Sequence, residues 1–403
     1  MSEWKKVKLG ELYEVHNGLS KGRQFFGSGY PFLTFSNVFN NWFLPEELES
    51  LVQSSEKERQ TCSIKKGDVF ITRTSETMDE LGMSSVALKD YPNATYNGFT
   101  KRLRPLTDEV MPEYIGYYLR SPKFRGKFMA FSTMTTRASL ANDDLLSMEV
   151  DIPEKAIQQR IATILSRYDS LIENYQKQIK LLEESAQRLY KEWFIDLRFP
   201  GHENTKIVDG VPEGWEKKKI KDLVDLKSGY AFKSSDFASD GIYKIVTIKN
   251  VKDGAFDGEN VSKIASIPEK MPKHCILEDG DILLSLTGNV GRVCIVVGKN
   301  YLLNQRVAKL KSIFKAYTYC LFRSRDMFID VNNLANGAAQ QNVSPIKIGE
   351  MKILIPENKL LNEFEKESSN YISGVIAFQS QIRLLTEARD RLLPKLMSGE
   401  IEV

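Results

Sequence analysis

The chain has 403 residues, and its 56 basic and 53 acidic side chains leave a formal net charge of only +3. This length predicts two or three domains, each large enough to bury its own core, and the charge balance means that any basic binding surface must be local. The four cysteines form no C-x-x-C pair, so neither a disulfide framework nor a zinc site is expected.

No run of the sequence approaches the ~18 apolar residues that a membrane-spanning helix needs. The N-terminal segment MSEWKKVKLGELYEV also lacks the apolar core of a signal peptide. Scattered cysteines fit a reducing compartment. We therefore expect a cytoplasmic protein that has no membrane partner.

Residues 1–150 predict a mixed α/β domain. Short runs of β-branched and aromatic residues, such as DVFITRT beginning at Asp68, follow glycine-containing turns and predict strands. Residues 112–131 instead have the pattern of a helix. We expect one folded domain over this range.

Residues 151–197 predict a long helix. The run IPEKAIQQRIATILSRYDSLIENYQKQIKL begins at Ile152, and its proline favours extended structure before it and helix after it. Apolar residues then recur mostly at steps of three and four, which places one apolar stripe along about 50 Å of helix. The stripe comprises Ile157, Ile161, Tyr168, Leu171, Tyr175, Ile179, Leu182 and Leu189. A helix with a single stripe of this kind needs a partner helix.

Residues 198–214, which contain two prolines and three glycines, predict a connector. The chain then repeats its organisation, because residues 215–354 predict a second mixed domain and residues 355–403 a second long helix after another Ile-Pro-Glu. The second stripe comprises Leu360, Phe364, Tyr371, Phe378, Ile382, Leu385 and Leu392. Gly374 and Arg389 interrupt it.

The two halves of the chain match in order from end to end. Trp4 and Gly18 correspond to Trp215 and Gly229 at the same spacing, and each half ends in its Ile-Pro-Glu helix. A period of about 200 residues is too long for a solenoid repeat. We therefore expect a duplicated domain-and-helix unit in which each long helix is the other's partner.

No sequence pattern indicates an active site. FFGSG, beginning at Phe25, has the F-x-G-x-G form of a methyl-donor loop, but a polar segment precedes it and an apolar run follows it. A methyl-donor loop needs a buried strand before it and a helix after it. The chain also lacks an Asn/Asp-Pro-Pro-aromatic tetrapeptide and a phosphate-binding loop, and its three histidines are not paired at metal-ligand spacing. We expect no catalytic residue, no metal and no cofactor.

Positive charge is concentrated at the same place in both halves. From Arg292 to Arg325 there are eight basic and no acidic residues, and residues 101–137 hold eight basic against three acidic ones. Such a cluster, recurring beside aromatic residues, predicts contacts with nucleic-acid phosphates. The predicted contacts are Lys101, Arg102, Arg104, Arg120, Lys123, Arg125, Lys127, Arg137, Arg292, Arg306, Lys309, Lys311, Arg323 and Arg325.

Amides and hydroxyls near these clusters are candidates for reading base edges, since phosphate contacts carry no sequence information. The candidates are Thr135, Thr136, Asn304, Gln305, Gln340 and Gln341. Any one of them could equally belong to a polar loop that contacts no base.

Three stretches resemble a known family. They are QQRIATILSRYDSLIENYQKQIKLLEESAQRLYKEWFIDLRFPG, GVPEGWEKKKIKDL and the closing LLPKLMSGEIEV. They are similar to the conserved central and C-terminal regions of the specificity subunits of type I restriction-modification systems. The similarity extends over essentially the whole chain, in the order recognition domain, helix, recognition domain, helix.

This resemblance implies an α+β fold, in which two α/β-mixed target recognition domains are joined by two long helices forming an antiparallel coiled coil. It implies a non-catalytic subunit whose domains each read one half of a bipartite, asymmetric sequence in double-stranded DNA. The helices, residues 157–193 and 360–396, would act as a ruler that sets the spacer. The implied partners are two methyltransferase (modification) subunits and the restriction translocase-nuclease subunits.

Two other functions remain open at this point. A coiled-coil adaptor or structural protein with tandem β-rich domains would have the same stripes and duplication. Charge reversal at Arg306, Lys309 and Arg323 that leaves the function intact would favour it. A single-chain DNA methyltransferase would instead be indicated if the purified chain bound a methyl donor.

Overall fold

The computed structural model describes residues 4–75, 80–131, 133–134, 138–139, 141–259, 261–335 and 341–403. The chain divides into two compact units. Unit 1 comprises Met1–Leu171 and Leu385–Val403, and unit 2 comprises Ile172–Leu384. Each unit therefore contains one mixed α/β region and a part of each long helix.

Unit 1 has two main sheets and a separate strand pair. The first sheet is antiparallel, in the order Tyr13–Asn17, Thr100–Pro105, Val69–Thr72 and Ser84–Val86. The second sheet has the order Leu51–Val52, Phe26–Leu33 and Thr95–Tyr96, and its last two strands are parallel. Strand Lys5–Lys8 pairs with Glu149–Ile152, and Thr133–Met134, Ala138–Ser139 and Thr74–Ser75 form a small third sheet. The shorter helices are Leu9–Leu12, Phe35–Asn40, Glu56–Thr61, Pro112–Arg120, Pro122–Phe131 and Asn142–Ser147.

Unit 2 has the same plan. Its first sheet is antiparallel, in the order Asp225–Ser228, Val307–Lys311, Ile282–Ser285 and Val293–Ile295. Its second sheet has the order Ser262–Ile264, Tyr243–Val246, Tyr301–Leu303 and Ile276–Leu277, with the two central strands parallel. Strand Glu216–Lys219 pairs with Lys352–Ile355, and the connector forms a hairpin of Ile207–Val208 and Val211–Pro212. The shorter helices are Lys315–Arg323, Arg325–Ala335 and Pro345–Gly349.

Matching sequence positions form matching local structures in the two units. The carboxylate of Asp68 accepts the backbone N–H of Lys65 at 2.7 Å, and that of Asp281 accepts the N–H of Glu278 at 2.8 Å. Each aspartate thereby closes a turn that leads into a fully buried strand of the first sheet. The internal duplication predicted from the sequence is confirmed.

Each long helix begins directly after a strand, as its Ile-Pro-Glu predicts. The first long helix, Lys155–Tyr190, follows strand Glu149–Ile152, and the second, Asn358–Ser398, follows strand Lys352–Ile355. The first continues into a π-helical turn, Lys191–Ile195.

Within unit 2 the two long helices run antiparallel. The rings of Tyr175 and Phe378 stack with 5.1 Å between their centroids, and the ring of Trp193 lies 5.6 Å from that of Phe364. Residue numbers therefore rise along one helix as they fall along the other. Gly374 permits a close approach here, because a Cβ at this position would lie 2.8 Å from a methyl group of Leu182.

Within unit 1 the opposite ends of the same helices pack together. Ile161 of the first long helix and Leu396 of the second belong to one buried core. The carboxylate of Asp169 pairs with the guanidinium of Arg389 at 2.6 Å and also accepts the hydroxyl of Tyr117 at 2.5 Å. Arg389 interrupts the apolar stripe because it has an ionic partner on the other helix. The predicted antiparallel pairing is confirmed.

The buried face of the second long helix is broader than the predicted stripe, since Leu361, Ser368, Ile372 and Val375 are all buried. Of the predicted stripe residues, Ile161, Leu360 and Phe364 are buried and Leu171 is exposed. The others are half-buried: Ile157, Tyr168, Tyr175, Ile179, Leu182, Leu189, Tyr371, Phe378, Ile382, Leu385 and Leu392.

Each unit encloses its own apolar cores. In both, the larger core joins the first sheet and the helix after it to the long helices, and a smaller core lies beneath the second sheet. Within the described ranges, no helix combines the length and the apolar character needed to cross a membrane.

Candidate nucleic-acid interface

In unit 1 the segment around Gly18 and Leu19 crosses residues 97–99, which we call loop 1. Leu19 donates its N–H to the carbonyl oxygen of Tyr96 at 2.8 Å, and Gly98 donates back to that of Leu19 at 2.9 Å. Gly18 fits this crossing because a Cβ there would lie 2.2 Å from the first carbonyl oxygen of loop 1. The crossing fixes loop 1 at the end of a strand of the second sheet.

Unit 2 contains the same crossing at residues 304–306, which we call loop 2. Tyr230 donates its N–H to the carbonyl oxygen of Leu303 at 2.9 Å, and Gln305 donates back to that of Tyr230 at 3.0 Å. A Cβ on Gly229 would lie 2.4 Å from the first carbonyl oxygen of loop 2. The two loops therefore have one backbone frame.

The first residue of each loop supports the loop itself. The side-chain oxygen of Asn97 accepts the N–H of Phe99 at 2.7 Å, and that of Asn304 accepts the N–H of Arg306 at 3.3 Å. Asn304, a predicted base-reading residue, thus uses its amide oxygen within the turn. The third residue points outward, because Phe99 is 57 % exposed and Arg306 is also exposed.

A second matched turn lies beside each loop. In unit 1 the side chains of Thr34 and Asn37 hydrogen-bond at 2.6 Å at the start of a short helix. In unit 2 those of Thr247 and Asn250 hydrogen-bond at 3.0 Å. Each turn directly follows a strand of the second sheet that holds the neighbouring loop. The last carbonyl oxygen of that strand, Leu33 in unit 1 and Val246 in unit 2, accepts the N–H of Asn97 and of Asn304. The loops therefore rest on rigid, duplicated supports.

The structure brings several predicted residues of unit 2 together around residues 285–288. Three backbone hydrogen bonds define this group: Leu286 N–H to Arg306 O at 3.0 Å, Ser285 N–H to Arg292 O at 2.9 Å, and Gly288 N–H to Gln341 O at 3.0 Å. Gln305, Arg306 and Gln341 are exposed, and Arg292 is half-buried. Among the described residues, no acidic group pairs with Arg292 or Arg306. The group presents two guanidinium and two amide side chains.

Of the other predicted cations of unit 2, two are held in ion pairs and two are exposed. Lys309 pairs with Asp281 at 2.7 Å, and Arg323 pairs with Asp253 and with Glu183 of the first long helix at 3.4 Å. Lys311 and Arg325 are exposed. Lys311 ends the strand that begins next to Arg306, so about 16 Å of extended chain separates the two.

Arg120 of unit 1 is held inside the domain. Its guanidinium donates to the carbonyl oxygens of Val38, Phe39 and Asn41 at 2.7, 2.9 and 2.9 Å, and to that of Ser84 at 2.6 Å. Burial lowers the pKa of Arg120 to about 10. These bonds engage the Nε and Nη2 donors, so Arg120 has fewer donors left for a phosphate.

The remaining predicted cations of unit 1 also have internal acceptors. Arg102 donates to Ser63 O at 2.8 Å, Arg104 pairs with Asp68 at 2.7 Å, Lys101 donates to Asn142, Arg125 donates to Leu81 O at 2.5 Å, and Lys123 and Lys127 lie 2.9 and 3.7 Å from Asp151. Thr135, Thr136, Arg137 and Gln340 lie outside the described residues. The described part of unit 1 therefore offers few of its predicted cations to a ligand.

Asp151 organises one of these internal networks. Its carboxylate, 4 % exposed, accepts the hydroxyl of Tyr118 at 2.7 Å and pairs with Lys123. Burial raises the pKa of Asp151, but hydrogen bonds from Lys123 and Tyr118 and the charges of Lys123 and Lys127 outweigh it, so the net shift is downward. A carboxyl group with a lowered pKa stabilises the fold at pH values above its ordinary pKa. That stabilisation is lost as the pH falls through the pKa of the folded state.

We therefore expect Asp151→Asn to lower the free energy of unfolding by about 1–3 kcal/mol at pH 7. The substitution should also flatten the loss of stability below about pH 4, where the wild-type carboxyl takes up its proton. Urea denaturation at several pH values measures both effects. Equal pH profiles for the variant and the wild type would contradict this role.

Phe99 and Arg73 escaped prediction from the sequence. Arg73 donates its N–H to the carbonyl oxygen of Phe99 at 3.0 Å, as Leu286 does to that of Arg306 in unit 2. In the sequence, the equivalence of the two loops is indicated only by the similar strings TFSNV and TIKNV and by the asparagine that begins each loop. An isolated aromatic residue in a sequence is more often a core residue than a surface contact.

The three histidines all meet backbone carbonyl oxygens, His16 that of Asn17 at 2.7 Å, His202 that of Phe199 and His274 that of Ser228 at 2.9 Å each. In the described part of the chain, no group of three His, Cys, Asp or Glu side chains is arranged to hold a metal ion. All four cysteines are buried and unpaired.

Comparisons with known proteins agree on one family. The family model described as the type I restriction modification DNA specificity domain matches residues 1–184 and again residues 212–370. The MjaIX specificity subunit of Methanocaldococcus jannaschii is 27 % identical, over 100 % of this chain and 94 % of the relative. The HindI specificity subunit of Haemophilus influenzae is 23 % identical over the whole of both chains. The crystal structure of the S subunit from M. genitalium has the same fold, with a TM-score of 0.56 and 16 % identity over 98 % of this chain and 96 % of that one.

Proposed function

The chain belongs to the family of type I restriction-modification DNA specificity subunits, and from this premise we propose that each unit reads one half of a bipartite, asymmetric DNA target. Its relatives are specificity subunits and not methyltransferases, so the single-chain methyltransferase alternative is set aside. The family is non-catalytic, in agreement with the expectation from the sequence.

One observation carries the proposal: loops 1 and 2 have the same backbone frame but different outward side chains. A duplicated frame gives both units the same approach to a DNA groove. Gly98-Phe99 in one unit and Gln305-Arg306 in the other give them different chemistry. Hydrogen bonds and apolar contacts to base edges specify the DNA sequence. Loops with different outward side chains therefore favour different half-site sequences.

Among the described residues of unit 2, we favour Gln305, Arg306, Arg292 and Gln341 as DNA contacts, because backbone hydrogen bonds bring them together and no acidic group in the described ranges pairs with either arginine. We assign structural roles to Lys309 and Arg323, because both form ion pairs within the unit. The same reasoning applies to the internally bonded cations of unit 1. The predicted contacts at Thr135, Thr136, Arg137 and Gln340 remain part of the proposal.

The division of labour follows the domains predicted from the sequence. Residues 1–150 and 215–354 would be the target recognition domains, and the long helices after them would set the spacer between the half-sites. The helix pairing within each unit supports this, since paired helices resist bending more than single ones.

We place the protein in the cytoplasm, in a complex with two methyltransferase (modification) subunits, which supply the catalysis, and with restriction translocase-nuclease subunits. The names of the relatives support this assignment, since they describe specificity subunits of type I restriction enzymes. The duplication supports two copies of the modification subunit, because two similar units offer two similar docking positions.

Mapping of modified bases tests the proposal. The chain is expressed with and without its modification subunit in a host that lacks other methyltransferases, and the methylated positions are mapped over the genome. We expect methylation at one two-part, non-palindromic motif with a fixed gap, only when both proteins are present. Methylation by the chain alone, or a single continuous motif, would contradict it.

Arg292 offers a test of the phosphate contacts. We expect Arg292→Ala to weaken binding to target and non-target DNA alike, and to reduce the slope of log affinity against log salt by about 1. Lys311→Ala is the matched control, because Lys311 is exposed but lies at the far end of the neighbouring strand. Fluorescence anisotropy of the modification complex over a salt series measures both. An equal loss for Lys311→Ala would contradict the placement of the interface.

A further inference from the structure

Loops 1 and 2 place one residue each at an equivalent outward position. The carbonyl oxygen of Phe99 accepts the N–H of Arg73 at 3.0 Å, and that of Arg306 accepts the N–H of Leu286 at 3.0 Å. In both loops the asparagine two residues earlier accepts the N–H of this outward residue. Phe99 and Arg306 therefore occupy the same place on the same frame, one in each unit.

We propose that these two residues determine the specificity of the two half-sites: Arg306 recognises a guanine, and Phe99 recognises the methyl group of a thymine. This inference rests on the proposed function. It assigns to each unit one side chain and one atom group on the DNA that the side chain contacts.

Arg306 is suited to bind a guanine because its guanidinium group is exposed and unpaired with any acidic group in the described ranges. The side chain extends from a loop whose backbone is fixed on both sides. Guanine offers two acceptors, O6 and N7, at one edge of the major groove, and arginine can donate to both at once. The neighbouring Arg292 adds positive charge that favours the approach of DNA.

Phe99 is suited to an apolar contact because the residue is 57 % exposed on a loop that backbone hydrogen bonds hold in place. The thymine methyl group is the apolar group that the base pairs present in the major groove, and phenylalanine is among the side chains that contact it. Gly98 adds no side chain beside the ring, and a Cβ at that position would lie 2.4 Å from the hydroxyl oxygen of Ser20. Loop 1 thus presents one apolar group where loop 2 presents two polar ones.

The asparagines of the loops have a different role. Asn97 and Asn304 occur at the same place in both units and use their side-chain oxygens to hold the turn. A residue that is the same in both units and is engaged by the backbone cannot distinguish two different half-sites. Within the two loops, the difference therefore lies in the outward residues.

The experiment uses the complete modification complex and base analogues that each remove one group. The motif is first mapped with the wild-type protein. Duplexes are then made with 7-deazaguanine in place of each guanine, or deoxyuridine in place of each thymidine, one position at a time. Affinity is measured for the wild type, Arg306→Ala and Phe99→Ala. Both substituted side chains are exposed, and thermal melting checks that the variants remain folded.

We expect one 7-deazaguanine to weaken wild-type binding about tenfold and to have no effect on Arg306→Ala. We expect one deoxyuridine, in the other half-site, to weaken wild-type binding about fourfold and to have no effect on Phe99→Ala. Arg306→Lys should keep the salt dependence of the wild type and show a smaller sensitivity to 7-deazaguanine, because lysine keeps the charge but lacks the planar pair of donors.

The outcomes separate this inference from the proposed function. A wild-type complex that yields no two-part motif overturns both. A two-part motif with variants that keep the wild-type sensitivity to every analogue overturns the specificity assignment alone. Sensitivities that fall in the same half-site for both residues also overturn it, since the two residues belong to different units.

Discussion

The Phe194→Ala variant is expected to lose about 3–5 kcal/mol of unfolding free energy. Phe194 lies in the π-helical turn that ends the first long helix, and its side chain is buried. Its ring centroid lies 4.9 Å from those of Tyr317 and Phe364 and 6.0 Å from that of Trp215. Within unit 2 this ring thus contacts helix Lys315–Arg323, the second long helix and Trp215, which directly follows the connector. Its removal leaves a cavity that no single element can close.

Urea denaturation followed by tryptophan fluorescence measures this effect, because Trp193 and Trp215 lie in the same core. Ile195→Ala is the matched control, since Ile195 is the next residue in the same turn but is 50 % exposed. We expect the control to change the free energy of unfolding by less than about 0.5 kcal/mol. If Phe194→Ala lowered the free energy of unfolding by less than about 1 kcal/mol, the aromatic cluster would not be what holds the first long helix to the rest of unit 2.

The fold could be predicted because its strongest constraints are local in sequence. The Ile-Pro-Glu strings mark where each strand gives way to a long helix, and a stripe at steps of three and four implies a partner helix. The second stripe was harder to predict, because that helix packs on two sides. Ser368 and Ile372 are buried although they lie outside the predicted stripe. A pattern of apolar residues that assumes a single partner helix does not include such positions.

Two apparent faults in the second stripe have partners that the sequence does not show. Gly374 lies against Leu182, and Arg389 forms an ion pair with Asp169. Both partners are some two hundred residues away in the chain. A periodicity argument treats such positions as interruptions, whereas the three-dimensional pairing makes them contacts.

Only some of the predicted DNA contacts are exposed, for a related reason. A count of charge along the chain assumes that each cation faces solvent, but the acceptors of Arg120 are carbonyl oxygens of residues as distant as Val38. Gln305 and Arg306, which the sequence predicts as DNA contacts, are exposed on one loop, and their contact with DNA stays a prediction. Their counterpart Phe99 becomes apparent only when the backbone hydrogen bonds of the two units are compared.

Lengthening both long helices by one heptad should move the two half-sites apart without changing either. The boundary between the units falls after Leu171 in the first long helix and after Leu384 in the second. Seven residues inserted at both places add about 10 Å of helix, equivalent to about three base pairs. A heptad turns the helix by nearly two whole turns, with a mismatch of about 20°.

The double insertion preserves the contacts inside each unit, because the partners lie on the same side of the insertions. Asp169 and Arg389 both remain in unit 1, and Tyr175 and Phe378 both remain in unit 2. We therefore expect a folded protein whose modification complex methylates the original half-sites with a gap longer by about three base pairs. Methylation at the original target should be lost.

A single insertion in the first long helix is the matched control. It shifts one helix by about 10 Å against a partner of unchanged length, so the contacts of one unit must break for those of the other to form. We expect lower stability and no methylation at any gap length. If the double insertion instead left the gap unchanged, the helices would not be the element that sets it. Altered half-sites would mean that the reading surfaces depend on the helices, and not on the loops of each unit.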